Sequence, residues 1–138
     1  MADLQKNLIN KLTATKTLSF DFKQKISDKE ETGNCFIKYP LLMKCNYQNL
    51  KQKTIISNGK TVAIIKKKYK KIYYYPIKAT PLFFILKKEK IINLIRKNKP
   101  TKINSSLIEF EFIDKKKNKI KIFFDKKSLE FKGWETKD

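Results

Sequence analysis

The chain has no histidine at all, which removes the commonest general base and the commonest metal ligand before any motif is sought. Its two cysteines are too few for a zinc site unless carboxylates complete it, and no CxxC or HExxH spacing occurs. Glu109 and Glu111 share one face of a strand pattern with lysines expected across from them, the arrangement of a solvated surface rather than of an acid-base pair. There is no glycine-rich phosphate loop. The residues therefore argue against an enzyme, and neither a metal nor a cofactor is expected.

Cys35 and Cys45 are more informative, because they flank Tyr39-Pro40-Leu41 symmetrically. A hairpin centred on Pro40 pairs Ile37 with Met43 and Cys35 with Cys45 on one face. Directly opposed Cβ atoms lie about 4.5–5.5 Å apart, within reach of a disulfide. Two readings stay open: a cross-strand disulfide, which implies an oxidising compartment, or two buried thiols on a core face. A second constellation, Lys66 to Tyr75 (KKKYKKIYYY), interleaves basic and aromatic residues. It superficially suits single-stranded nucleic acid through charge and stacking. The plainer reading is a lysine-rich hairpin tip leading into an aromatic strand, and a third is a docking patch for an acidic protein or anionic lipid head groups.

A formal net charge of +20 raises the prior for nucleic acid or an anionic membrane. Against nucleic acid, all 33 basic residues except Arg96 are lysine, whereas base and phosphate readers favour the guanidinium fork. The lysines also fall on almost every turn and strand instead of one face. Lys, Asn and Ile are abundant together, as AT-rich codons produce, so part of the charge reflects composition. With 138 residues, 41% of them hydrophobic, and three glycines, the chain is long and apolar enough for one core-bearing domain over residues 1–138. No run approaches the ~18 apolar residues of a membrane span; the longest apolar cluster is Pro81 to Leu86. Met1-Ala2 leading into Asp3-Leu4 resembles a start placed ahead of a mature terminus.

The positioning elements follow from periodicity. Leu4, Leu8 and Leu12, with Ile9, recur at helical spacing behind Asp3 as a plausible N-cap. From Leu18 the period becomes two, with Phe20 and Phe22 alternating with Asp21 and Lys23. Further strands are expected around 32–39, 42–48, 52–57, 61–66 and 70–75, and Asn58-Gly59 is the strongest hairpin signal, as the two central residues of a tight turn. Thr80-Pro81 reads as an N-cap followed by proline at the first helical position, and Ile91, Leu94 and Ile95 have helical spacing, so one or two short helices are expected between 80 and 98. The sheet is expected to resume near Leu107, with Ile108, Phe110 and Phe112, then Ile120, Ile122 and Phe124, separated by polar turns at 114–118 and 125–128. A last strand starts at Leu129 and Phe131, and Trp134 lies near the end. No linker or internal repeat interrupts the pattern. The fold class is α+β, a strongly curved antiparallel sheet whose apolar face the helices cover.

Several of these features occur in the order of the LolA family of outer-membrane lipoprotein carrier proteins. Phe22-Lys23-Gln24-Lys25 resembles its first-strand F-x-Q pattern, after an N-terminal helix whose paired leucines match Leu8 and Leu12. Gly33 to Pro40, GNCFIKYP, is similar to the family's G-x-(L/W)-x-(V/I)-K-R-P hairpin. Ile55 to Lys60, IISNGK, resembles its (L/V)-S-D-G-K turn, and Pro81 to Leu86, PLFFIL, the segment that opens its middle helices. Asp125-Lys126-Lys127-Ser128-Leu129 and Trp134 resemble the later strand pair. No single motif is specific; their succession over nearly the whole chain is.

The resemblance implies an incomplete antiparallel β-barrel with helices as a lid, and a concave hydrophobic cavity for the acyl chains of lipoproteins. It implies a monomeric periplasmic carrier, loaded by an inner-membrane ABC transporter and unloaded by an outer-membrane receptor. That receptor shares the fold but carries an N-terminal lipidated cysteine, for which neither Cys35 nor Cys45 is placed. Candidate cavity residues, taken from the period-two and helical faces, are Leu8, Leu12, Phe20, Phe22, Ile37, Met43, Tyr47, Ile56, Ile64, Leu82, Phe84, Ile108 and Phe110. Two departures stand out. The family carries Arg before the turn proline, where it helps fasten the lid, and this chain has Tyr39. Family members continue past the last Trp strand, so the chain reads as shortened at Asp138 or minimal by nature. The competing functions are a soluble carrier or sensor of another lipid on the same fold, and a basic nucleic-acid-binding module.

Overall fold

A computed structural model describes residues 2–26, 29–48, 52–114 and 116–137. Met1, Asp138 and Lys115 of the expected 114–118 turn lie outside these described residues. Among the described residues, ten strands form two antiparallel sheets, accompanied by three α-helices, and the chain divides into two compact units, Thr17–Lys87 and a second made of Met1–Lys16 with Lys88–Asp138.

The first unit is an antiparallel meander of six strands in sequential order: β1 (Thr17–Ile26), β2 (Lys29–Lys38), β3 (Leu42–Tyr47), β4 (Lys53–Asn58), β5 (Thr61–Lys66) and β6 (Lys71–Pro76). Leu18 and Phe20 are buried and Ser19 and Asp21 exposed, as strict alternation requires of a sheet with one apolar face. Gly33 has no room for a side chain: a Cβ would run into the Asn46 carbonyl of β3 and the Phe22 ring of β1. The Phe22 and Tyr47 rings meet edge-on there, with centroids 4.9 Å apart.

The β4–β5 turn lies where the Asn-Gly pair indicates, but displaced by one residue. Asn58 closes β4, and its side-chain oxygen accepts from the Lys60 and Thr61 amides, each at 2.9 Å. Gly59, at φ +98°, is thus the first central residue. β6 also starts one residue later than expected, because Lys70 takes a left-handed conformation (φ 53°) to close a 3₁₀ turn over Lys67–Tyr69. β2 begins earlier than expected, at Lys29.

After β6 come a 3₁₀ turn (Ile77–Ala79) and the short helix α2 (Leu82–Ile85). Thr80 does not cap α2. Its hydroxyl donates back to the Ile77 carbonyl at 2.9 Å, and the carbonyl of Pro81 accepts the first helical bonds, from Phe84 and Ile85 at 3.1 Å.

The second unit holds α1 (Ala2–Ala14), α3 (Lys88–Lys97), β7 (Lys102–Ile103), β8 (Leu107–Ile113), β9 (Lys119–Asp125) and β10 (Phe131–Lys137). Asp3 lies inside the first turn of α1 instead of capping it, where its charge still favours the positive helix end. The two helices run antiparallel: the Gln5 amide donates to the carbonyls of Ile95 (2.6 Å) and Asn98 (2.7 Å) near the end of α3, while Lys88 Nζ reaches the Thr13 carbonyl at 3.4 Å. Among the described residues no helix is long and apolar enough to cross a membrane.

The strands from Leu107 onward do not resume the first sheet but build their own, in the order β10-β9-β8-β7. The sequence of β6 explains why the first sheet stops there. Lys71 opens that strand and Pro76 closes it, a charge and a missing backbone donor of the kind that end a sheet.

Candidate functional site

The register of the six-stranded sheet defines one apolar face row by row. Leu18, Ile37, Met43, Ser57, Val62 and Tyr75 form one row of directly opposed residues. Phe20, Cys35, Cys45, Ile55, Ile64 and Tyr73 form the next. Cys35 and Cys45 stand opposite one another and are joined by a disulfide, with Cα atoms 4.1 Å apart. This covalent rung crosses the middle of the apolar face and fixes the β2–β3 register, which a one-residue slip would otherwise invert.

The apolar surface ends in charge. Glu31, Lys53, Lys66 and Lys71 occupy the same face beyond Gly33 and Tyr47, by the alternation of their strands. Lys53 pairs with Glu31 at 3.5 Å and lies 4.0 Å from the centroid of the Tyr47 ring. The Tyr47 phenol is pushed up to about 12, first by burial and second by the Glu31 charge.

The helical segment 77–86 is fastened to the turns at the other end of this sheet. The Ile77 amide donates to the Lys60 carbonyl at 2.8 Å, and the Leu41 amide donates to the Leu86 carbonyl at 3.1 Å. Leu41, at φ 68°, pays for a conformation L-residues avoid, and it is held from both sides, since the buried Ser57 hydroxyl donates to its carbonyl at 2.6 Å. Tyr39, in the arginine's place, is half-buried, and burial raises its phenol above the usual tyrosine range. Ile77, Leu82, Ile85 and Leu86 are buried, while Phe84 is only partly so.

The structure sorts the candidate cavity residues into groups. Phe20, Phe22, Ile37, Met43, Tyr47 and Ile64 share the apolar face of the six-stranded sheet. Ile56 does not. It opposes Lys44 and Ala63 and so lies on the other face, and Ile55 takes its place opposite Cys45. Two adjacent isoleucines hide the parity of β4; the signal that finds it is the pairing of β4 with the cysteine strand. Leu82 and Phe84 belong to α2. Leu8 and Leu12 of α1, with Ile108 and Phe110 of β8, lie in the second unit and are fully or almost fully buried.

Leu18, Val62, Ile85 and Leu86 are further buried apolar residues of the first unit, outside the set of candidate cavity residues. Phe22, Tyr47, Ile55 and Ile64 keep part of their surface exposed and so have area to offer a ligand. A groove of the second unit is lined by Gln5, Lys6, Ile9, Asn10 and Arg96. Among the described residues, no three of Cys, Asp and Glu are grouped to hold a metal ion.

A family model described as outer membrane lipoprotein carrier protein LolA matches residues 13–138, a span that includes every strand and the helical segment. A comparison with curated proteins finds no match. The match covers far more than half of the chain and takes in the hairpins, the fastened helical segment and the later strands, and on that ground the chain belongs to the outer membrane lipoprotein carrier protein LolA family.

Proposed function

We propose that this protein is a periplasmic carrier that takes acylated lipoproteins from an inner-membrane ABC transporter and delivers them to an outer-membrane receptor, working as a monomer, without cofactor or catalysis, through one carrier domain spanning residues 1–138. The observation that supports it best is the apolar face that crosses all six strands of the first sheet within a chain of this family. In this reading that sheet curves into an incomplete barrel, its concave face accepts acyl chains, and the helical segment 77–86 is the lid. The half-buried Phe22, Tyr47, Ile55 and Ile64 make first contact with the ligand.

The energetics explain the need. Each exposed CH₂ costs about 0.8 kcal/mol in water, so one long acyl chain costs on the order of 10 kcal/mol and does not cross an aqueous space unaided. Release requires a lid whose opening costs only a few kcal/mol, and two backbone hydrogen bonds, worth about 0.5–1.5 kcal/mol each, suit that demand.

Native mass spectrometry of the exported, detergent-free protein tests the proposal. Co-purifying acylated lipoprotein or diacylglyceryl-peptide supports it. Phospholipid alone makes the protein a carrier of another lipid, and bound nucleic acid with no lipid overturns both. Phe22→Glu is expected to abolish acyl binding while near- and far-UV circular dichroism show a folded chain; retained binding in a folded Phe22→Glu variant removes this face from the site.

A further inference from the structure

The tip of the β5–β6 hairpin and the face of β6 that carries Ile72 and Tyr74 have a composition and geometry that acyl-chain carriage does not use. Lys53, Lys66 and Lys71 stand directly opposite one another in one row across β4, β5 and β6, and Lys67, Lys68 and Lys70 follow in the connecting turn. Like charges directly opposed across strands repel. Relief from within the neighbouring sequence is absent, because no Asp or Glu occurs between Glu31 and Glu89. Among the described residues only Lys53 of this set has a carboxylate partner, Glu31. Lys66 and Lys68 instead lie over the Tyr73 and Tyr69 rings, at 5.4 and 5.9 Å.

Around these lysines the hydrophobic side chains are uncovered. Every residue of β6 is exposed, with Tyr74 at 67%, Ile72 and Tyr69 at 50% and Tyr75 at 44%. β6 is the last strand of its sheet, so it presents Ile72 and Tyr74 on one face and Tyr73 and Tyr75 on the other.

We propose that the tip of the β5–β6 hairpin docks the protein on an anionic phospholipid surface, with its lysines on the head-group phosphates and Tyr69, Ile72 and Tyr74 in the interfacial layer. Tyrosine suits that layer because its ring is apolar and its hydroxyl wet, and a lysine cluster is drawn to anionic lipid. Nucleic acid fits less well. The hairpin has no arginine, and its rings are divided between two faces of an edge strand, so they offer no continuous stacking platform.

The test is co-sedimentation of the whole protein with vesicles of phosphatidylcholine alone and mixed with phosphatidylglycerol, over a range of salt. Bare vesicles carry no lipoprotein, so the result is separate from that of the acyl-binding experiment. Binding to the anionic vesicles only, weakening with salt, is expected. The variant K67Q/K68Q/K70Q/K71Q should lose about fivefold in partition per lysine removed. A variant of equal charge loss in the second unit, K97Q/K99Q/K126Q/K127Q, should bind nearly as the parent does. Ile72→Ser with Tyr74→Ser should weaken binding and leave its salt dependence intact. The changed residues are exposed, and far-UV circular dichroism verifies the fold. Equal losses in the two lysine variants, no binding of the parent to anionic vesicles, or tighter binding of a single-stranded oligonucleotide than of vesicles overturns the proposal.

Discussion

Two antiparallel hairpins of this molecule, β8–β9 and β5–β6, have opposite fates. In β8–β9, Ile108, Phe110 and Phe112 oppose Phe124, Ile122 and Ile120. The rings interlock, Phe110 edge-on to Phe124 at 6.0 Å and Phe124 edge-on to Phe131 at 5.8 Å. The outer face of that sheet neutralises itself: Lys119 pairs with Glu111 at 3.4 Å, and Lys121 lies 4.0 Å from Glu109 and 3.9 Å from Glu135. In β5–β6 the apolar residues Ile72 and Tyr74 stay in solvent and lysine faces lysine. Alternation fixes which residues share a face, but burial depends on what covers that face, and charge is quiet only where the opposite sign is built beside it. The apolar face of the first hairpin is buried and its charges are paired; in the second, β6 is exposed and its lysine faces another lysine.

The largest effect that can test this contrast is in the core. Phe110→Ala should destabilise by about 3–5 kcal/mol in urea unfolding, as a fully buried phenylalanine does. Ile64→Ala, on the apolar face of the other sheet but half-buried, should cost about 1–2 kcal/mol while weakening binding of a fluorescent acyl probe. Equal stability losses would mean that Ile64 is ordinary core and that this face has no surface reserved for a ligand.

Next in size is the disulfide. Replacing Cys35 and Cys45 by serine opens a loop of sequence separation 10, for which loop-closure entropy gives about 2–3 kcal/mol. Hydrogen exchange should show the loss first in β2 and β3. Uniform loss over both sheets would show that the rung serves the whole chain and not the acyl-binding face.

These residues also show what a sequence can reveal. The parity of β1 is written in Leu18, Phe20 and Phe22, and symmetry about Pro40 yields the pairings of Cys35 with Cys45 and Ile37 with Met43, because side-chain direction in a hairpin is a matter of counting. Counting fails where both faces carry isoleucine, and Ile55 and Ile56 are therefore separable only through the register. It fails again for the split into two sheets. The two-residue β7 has no period to detect, and the end of the first sheet at β6 depends on Lys71 and Pro76 acting together. The hydrogen bonds from Ile77 and Leu41 that fasten the helical segment are backbone bonds, which no residue type announces.

A smaller effect appears at high pH. The Tyr47 phenol is raised from 10.0 to about 12. A group whose folded value lies above its unfolded one contributes stability that is complete below the unfolded value and is lost as pH climbs through the folded one. Unfolding stability should therefore fall between about pH 10 and 12, and Tyr47→Phe should flatten that fall and remove a late phenolate absorbance step. An unchanged profile would mean that Tyr47 is as wet as an exposed tyrosine, and that the charged end of the apolar face is open.

The smallest effect is the most pointed, because it should change sign between the two hairpins. Lys71→Glu places a carboxylate opposite Lys66 and replaces repulsion by attraction, so it should stabilise by about 0.2–1 kcal/mol. Lys121→Glu removes the shared partner of Glu109 and Glu135 and places a third carboxylate beside them, so it should destabilise by about the same amount. Both differences should shrink in high salt, since these side chains are partly or fully solvent-exposed. Stabilities of the same sign would show that the overall charge of +20, and not the local pairing, controls the response. Opposite signs would locate the uncompensated charge in β5–β6, the hairpin from which a membrane-docking role is inferred.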